Sequence, residues 1–234
     1  MISFIVPAHN EERLLGRTLE AIHTAARETA SRYELIVVDD ASTDRTASIA
    51  EGAGARVVHG EWRQIARVRN AGAAVATGDT LIFVDADTIV PVATLRATTA
   101  AVDRGAVGGG ASVYIDGALP LWVRLVMPPF RLSFRMCRLA AGCYVFSRRA
   151  DFLAVGGFDE RLYAAEELAL SRALGNRGRF VVLREPVSTS GRKARTHSAW
   201  ELVRVLLEFL VRGTRVIKKR DGLDLWYGER RDDL

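Results

Sequence analysis

The sequence predicts an α/β domain, an open and mostly parallel mixed sheet with helices on both faces. Three observations predict it. Short apolar runs rich in β-branched residues recur through residues 1–90, separated by stretches with helical periodicity. One of these runs, residues 80–84, is apolar throughout after Thr80, as a strand covered on both faces requires. The chain has 234 residues, 49% of them hydrophobic, which is ample for one packed core.

Residues 2–6 form the first strand, closed by Pro7. The helix that follows carries Leu14, Leu15, Thr18, Leu19, Ile22, Ala25 and Ala26 on one stripe. Residues 34–38 are a second strand, and Ser42 or Asp44 can cap a short helix after it. A third strand spans 56–59, a helix of small residues 62–76, and the fourth strand 80–84. Beyond Pro91 the expected order is a helix over 91–103, a strand near 106–114 and a helix over 119–138 broken at Pro128 and Pro129. Then come a strand over 143–147, a helix over 166–177, a strand over 180–183 and an apolar amphipathic helix over 199–211. No repeat or linker divides the chain. The expectation is a single domain over 1–220, with a first half at 1–117, a second at 118–198, a terminal helix at 199–220 and a tail at 221–234.

Composition excludes several classes. A net charge of +5 with high apolar content argues against disorder. Two cysteines, Cys137 and Cys143, are too few for a disulfide framework or a zinc site and read as small buried thiols in a reducing cytoplasm. No apolar run reaches the roughly 20 residues that span a bilayer, and the N-terminal run reads as a strand, not a signal peptide. Charge is uneven: net −4 over 1–117 and +9 over 118–234. Arginine, which dominates the basic residues, suits bidentate phosphate contact, although coding bias gives the same excess. The basic residues alternate with apolar ones and lack an interleaved aromatic platform, so nucleic acid is not expected as a partner.

Carboxylates gather at three strand ends: Glu11 and Glu12, Asp39 and Asp40, then Asp85 and Asp87 around Ala86. In a parallel sheet these ends share one edge, where ligands bind. Clustered carboxylates repel unless a cation or donor sits among them. Mg²⁺ or Mn²⁺ carrying a diphosphate answers this, since such ions take one or two carboxylates and complete their shell with phosphate oxygens and water. The first βα turn has no glycine for a pyrophosphate and carries two acids where the anion would sit. A P-loop is absent. Gly108, Gly109 and Gly110 read as close packing or a bulge within a strand.

The run from Ser3 through Val6, Pro7, Ala8, His9, Asn10 and Glu11 to Glu12 resembles the opening of the family 2 glycosyltransferases. Glu34 to Asp40 with Ser42 and Asp44, the set Arg69, Asn70 and Gly72, then Gly78 with Asp79 and Val84 to Asp87 are similar to their later signatures. Gly156 to Glu160, followed by Glu166 and Glu167, resembles the acceptor-side motif. The resemblance implies a GT-A fold, a single Rossmann-like domain, and an inverting, metal-dependent transfer of sugar from a UDP- or GDP-sugar to a hydroxyl acceptor. It implies that Pro7, Ala8, His9 and Glu11 line the nucleoside pocket and that Asp39, with Asp40, accepts a hydrogen bond from the base. Arg67 or Arg69 would touch diphosphate or sugar, Asp85 and Ala86 would face ribose or sugar, and Asp87 would bind the metal. The family's base is an aspartate where Glu167 stands, so Glu167 is the expected base, with Glu166 the alternative. Arg192 and Lys193 are expected on the diphosphate and His197 as a further metal ligand.

Two rivals stay open: a sugar-nucleotide pyrophosphorylase, and a non-catalytic nucleotide-sugar-binding protein. Residues 119–136 and 199–219 mix apolar and basic side chains, which suits either peripheral contact with the inner face of the cell membrane or internal packing and a homodimer contact.

Overall fold

The computed structural model describes residues 1–117 and 121–191. Its strands are β1 (Ile2–Ala8), β2 (Tyr33–Asp40), β3 (Arg56–Gly60), β4 (Thr80–Val84), β5 (Thr88–Ile89), β6 (Gly108–Ile115), β7 (Tyr144–Arg148) and β8 (Phe180–Thr189). Its helices are α1 (Leu15–Glu28), α2 (Thr46–Gly52), α3 (Ile65–Val75), α4 (Val92–Asp103), α5 (Leu121–Met136), α6 (Arg149–Ala154) and α7 (Glu166–Arg177). All eight strands join one sheet in the order β3-β2-β1-β4-β7-β6-β8-β5. The first four are parallel, and β7 enters antiparallel to both β4 and β6.

Alternation along each central strand feeds two cores. Phe4 and Val6 of β1, Leu35 and Val37 of β2, and Ile82 and Val84 of β4 pack with α1, α2 and α4. Their neighbours Ile5, Ile36, Val38, Leu81 and Phe83 pack on the opposite face with α3, α6 and α7. The consecutive apolar runs Phe4–Val6, Leu35–Val38 and Leu81–Val84 follow from this double coverage. The predicted stripe of α1 is buried from Leu15 to Ala26. At the start of α2, Asp44 Oδ1 accepts the Thr46 amide at 2.9 Å, whereas Ser42 Oγ accepts the amide of Asn10.

Three expectations change. Helix α5 runs through Pro128 and Pro129 unbroken. Arg124 and Leu125, whose carbonyls lose their helical donors there, are exposed, so water can replace the missing N–H groups. Strand β8 extends to Thr189 past a register shift opposite Ala111 and Ser112, which admits Pro186. The short elements β5 and α6 have too few residues to display a period. Of the thiols expected to be buried, Cys137 is exposed and Cys143 half-buried. Close packing does explain the glycine triplet: a Cβ on Gly109 would lie 2.2 Å from the Val181 carbonyl and 2.5 Å from Phe146. The region 199–211, Arg192, Lys193 and His197 lie outside the described residues.

Candidate active site

The carboxyl ends of β1, β2 and β4 lie together, because Ala8 is level with Asp39 and Ile5 is level with both Ile36 and Phe83. The edge is built by side chains that tie successive loops. Asp40 accepts the amides of Trp62 at 2.6 Å and Arg63 at 3.0 Å, fixing the chain beyond β3. Asp39 receives His59 Nδ1 and the Ser42 amide, both at 3.3 Å. His9 Nδ1 sits 2.7 Å from the Asp40 carbonyl, Asn10 Oδ1 accepts the Thr43 amide, and the Glu11 amide donates to Thr46 Oγ1. Asn10 and Ala41, just past β1 and β2, have φ of 51° and 56°. Left-handed conformations in non-glycine residues collect where function demands a particular chain path.

A second cluster surrounds Arg69 of α3. Its Nη1 donates to Glu166 at 2.7 Å, and its Nη2 to Asp85 at 2.9 Å and to the Gly142 carbonyl at 2.8 Å. The guanidinium also lies over the Phe158 ring, 5.3 Å from its centroid. Glu167 adjoins this group, for a Cβ on Gly142 would lie 3.4 Å from Arg69 Nη2 and 3.5 Å from Glu167 Cδ. Thus three carboxylates face one buried cation. Burial works against the charge on Arg69, but Asp85, Glu166 and Glu167 hold it protonated. Burial likewise pushes Glu166 up against the pull of Arg69, and burial with the adjacent Glu166 pushes Glu167 up to about 8 from an ordinary 4.5. The Cys143 thiol is raised by burial and by Asp85 and Asp87, so both aspartates belong to this neighbourhood.

Helix α7 presents Glu166 and Glu167 in its first turn, where the backbone dipole favours negative charge. Ala165 precedes them with φ of 59°. The loop leading there is stitched to α3: Gln64 Nε2 donates to the Glu160 and Leu162 carbonyls, while Asn70 exchanges hydrogen bonds with both backbone groups of Phe158. Gly157 is required there, since a Cβ would lie 2.8 Å from Asn70 Oδ1.

The Arg69 side chain is 3% exposed, and its fork is held by Asp85, Glu166 and Gly142. Arg67 instead meets Glu160 at 3.7 Å in a half-exposed pair. Ala86 is buried, and its carbonyl accepts Thr18 Oγ1 at 2.8 Å. Pro7 and Ala8 are buried at the end of β1. Asp87 Oδ1 accepts Thr189 Oγ1 at 3.1 Å, so the pairing of β5 with β8 positions it.

Among the described residues no three His, Cys, Asp or Glu side chains gather as a cation cage. The donor set at Asp85 and Asp87 nevertheless fits Mg²⁺ or Mn²⁺ in the mode where substrate phosphates and water supply most ligands. Gln64 and Gly142 escape a reading of the sequence as parts of the site. Asn70 and Gly157 stand in recognised motifs, but only the contact between those motifs shows what they do.

Residues 3–150, more than half of the chain, match the family model described as Glycosyl transferase family 2. The chain is 39% identical over 93 residues to 4,4'-diaponeurosporenoate glycosyltransferase of Staphylococcus haemolyticus, covering 37% of this chain and 24% of that protein. It is 31% identical over 94 residues to undecaprenyl-phosphate 4-deoxy-4-formamido-L-arabinose transferase of Pseudomonas fluorescens, covering 37% and 27%. The matches therefore span about a quarter of these relatives' length. Among solved structures, mannosyltransferase PcManGT from Pyrobaculum calidifontis, in complex with GDP-Man and Mn²⁺, superposes with a TM-score of 0.69 at 19% identity, over 93% of this chain and 62% of that one. S. aureus TarS 1-349 in complex with UDP-GlcNAc gives 0.64 at 20%, over 90% and 66%. At such identities the likeness speaks for the fold, and it bears out the GT-A architecture. No described helix is long and apolar enough to cross a membrane. The matched profile, together with the mixed sheet and its acidic edge, makes the chain a member of glycosyl transferase family 2.

Proposed function

We propose that the chain transfers a sugar from a UDP- or GDP-sugar to a hydroxyl acceptor, inverting the anomeric centre and depending on a divalent cation. One observation carries this reading: Glu167, with its raised pKa, stands beside the Arg69 cluster that also holds Asp85 at the ligand-binding edge. A base poised near neutral pH takes a proton well from a hydroxyl. Glu167 accepts the acceptor's proton as its oxygen attacks the anomeric carbon, and the bond to the leaving diphosphate breaks on the opposite side. Arg69 acts by positioning Glu166 and Asp85. Asp39 and the backbone around Pro7, Ala8, His9 and Glu11 serve the nucleoside, Asp87 would hold Mg²⁺ or Mn²⁺, and the ion would offset charge on the diphosphate. Arg192 and Lys193 belong to the diphosphate contacts and His197 to the metal in this reading. The names of similar proteins support it, since those proteins are described with UDP-GlcNAc, GDP-Man or undecaprenyl-phosphate.

Isothermal titration with UDP and GDP, each with and without Mn²⁺, tests the proposal. Binding of one nucleotide that requires the metal, lost in Asp87→Ala and kept in Glu167→Gln, is the expected result. No binding, or binding indifferent to the metal, refutes it. A hydrolysis screen across UDP-, GDP- and dTDP-sugars then identifies the donor.

A further inference from the structure

Helix α5 carries an apolar stripe on its open side. Leu125, Pro128, Pro129, Leu132 and Met136 are all exposed, the leucines at 67% and 58% and the methionine at 76%. Their spacing of three, four and seven residues places them on one face. Arg124, Arg131 and Arg135 repeat that spacing one residue earlier and form the neighbouring row. Arg131 lies over the Tyr114 ring at 4.6 Å, and that tyrosine is itself exposed. No acidic residue occurs between Asp116 and Asp151, an interval holding six arginines. A helix that merely faced water would place its charges where this one places leucine and methionine.

We propose that α5 is an interfacial helix docking the protein on an anionic phospholipid bilayer, with the stripe in the acyl boundary and the arginines among the phosphates. Charge selects this occupant. A second copy meeting the same face would set arginine rows against each other with no carboxylate on the helix to offset them. At 16 residues the helix lies on a bilayer and does not span it. Its end leads within six residues to Gly142, whose carbonyl accepts Arg69 beside Glu167. An acceptor carried in the bilayer would thus meet the base near the docking surface. That consequence rests on the transfer reading, whereas the docking does not.

Flotation of the full chain with vesicles of phosphatidylglycerol and phosphatidylcholine, against phosphatidylcholine alone, tests the docking. The protein is expected to float with the anionic vesicles at low salt and to release as salt rises. Arg124→Gln and Arg135→Gln should each weaken binding about fivefold, and Leu125→Glu with Leu132→Glu should abolish it. These sites are exposed, so thermal stability should hold, and Mn²⁺-dependent nucleotide binding measured in parallel reports separately on the transfer reading. Three results overturn the docking: no flotation, flotation that every α5 variant leaves unchanged, or a dimer in sedimentation equilibrium that the leucine variants split. The second result assigns the contact to another basic segment such as 212–220.

Discussion

Arg69 and Glu166 meet at 2.7 Å across 97 residues of chain, joining α3 to the first turn of α7 with both side chains buried. The bond ties the two helices together across the sheet edge, and the resulting charge centre governs the behaviour of its neighbours.

Arg69→Met should lower unfolding stability by about 3–5 kcal/mol at pH 7, because it strands buried carboxylates without a partner. Those carboxylates then titrate higher in the folded state than in the unfolded chain, so folding takes up protons. The deficit should shrink as pH falls towards 5, as urea denaturation at several pH values will reveal. An equal deficit at both pH values would mean that packing, not charge, is what the arginine supplies.

Glu167→Gln should reduce transfer by about 10²–10⁴-fold and yet raise the melting temperature at neutral pH. The folded-state pKa of Glu167, near 8, exceeds the ordinary 4.5. Its contribution to stability is therefore complete below the lower value and declines as pH climbs through the higher one. Glutamine has no such loss, so the variant's advantage should widen between pH 5 and 8 in thermal melts. A constant gap would contradict the raised pKa.

Asp85→Asn tests the same pKa kinetically. The base must be ionised, so kcat/KM should fall on the acid side of about 8. Asp85 contributes to raising Glu167, and its neutralisation should move that limb to lower pH. A shift in the other direction would place the titrating group elsewhere.

Gly109→Ala should destabilise the protein by about 1–3 kcal/mol or more through overpacking, since the new methyl meets a backbone carbonyl that cannot yield. Gly105→Ala is the contrasting variant, as its Cβ meets nothing within 4 Å although φ is 82°. Chemical denaturation of both separates crowding from backbone strain.

Much of this was legible before any coordinates. The strands β1, β2 and β4 carry apolar residues at every core position, and acids follow each of them, so sheet edge and site could be placed together. The first turn of α7 was equally plain, because Glu166 and Glu167 open a periodic stretch. The enclosure of Arg69 was not legible, for a physical reason. An arginine near predicted phosphate ligands invites an ionic contact, and nothing local shows that Asp85, Gly142 and Glu166 will enclose it. The run through Pro128 and Pro129 misled similarly, since the penalty for proline in a helix falls on carbonyls whose access to water depends on tertiary packing. Strand β5, two residues long, had no pattern to read and yet sets the position of Asp87.

Because Arg69 draws partners from residues 85, 142 and 166, the centre cannot exist until synthesis has passed the start of α7. A polypeptide released earlier would lack both Glu166 and β8, leaving the guanidinium half-satisfied and Asp87 without the strand pairing that places it. Truncated products, which also lack Leu170, Leu174 and Phe180 of the core, should therefore be cleared as unfolded chains, and cells expressing them should behave as though short of the protein.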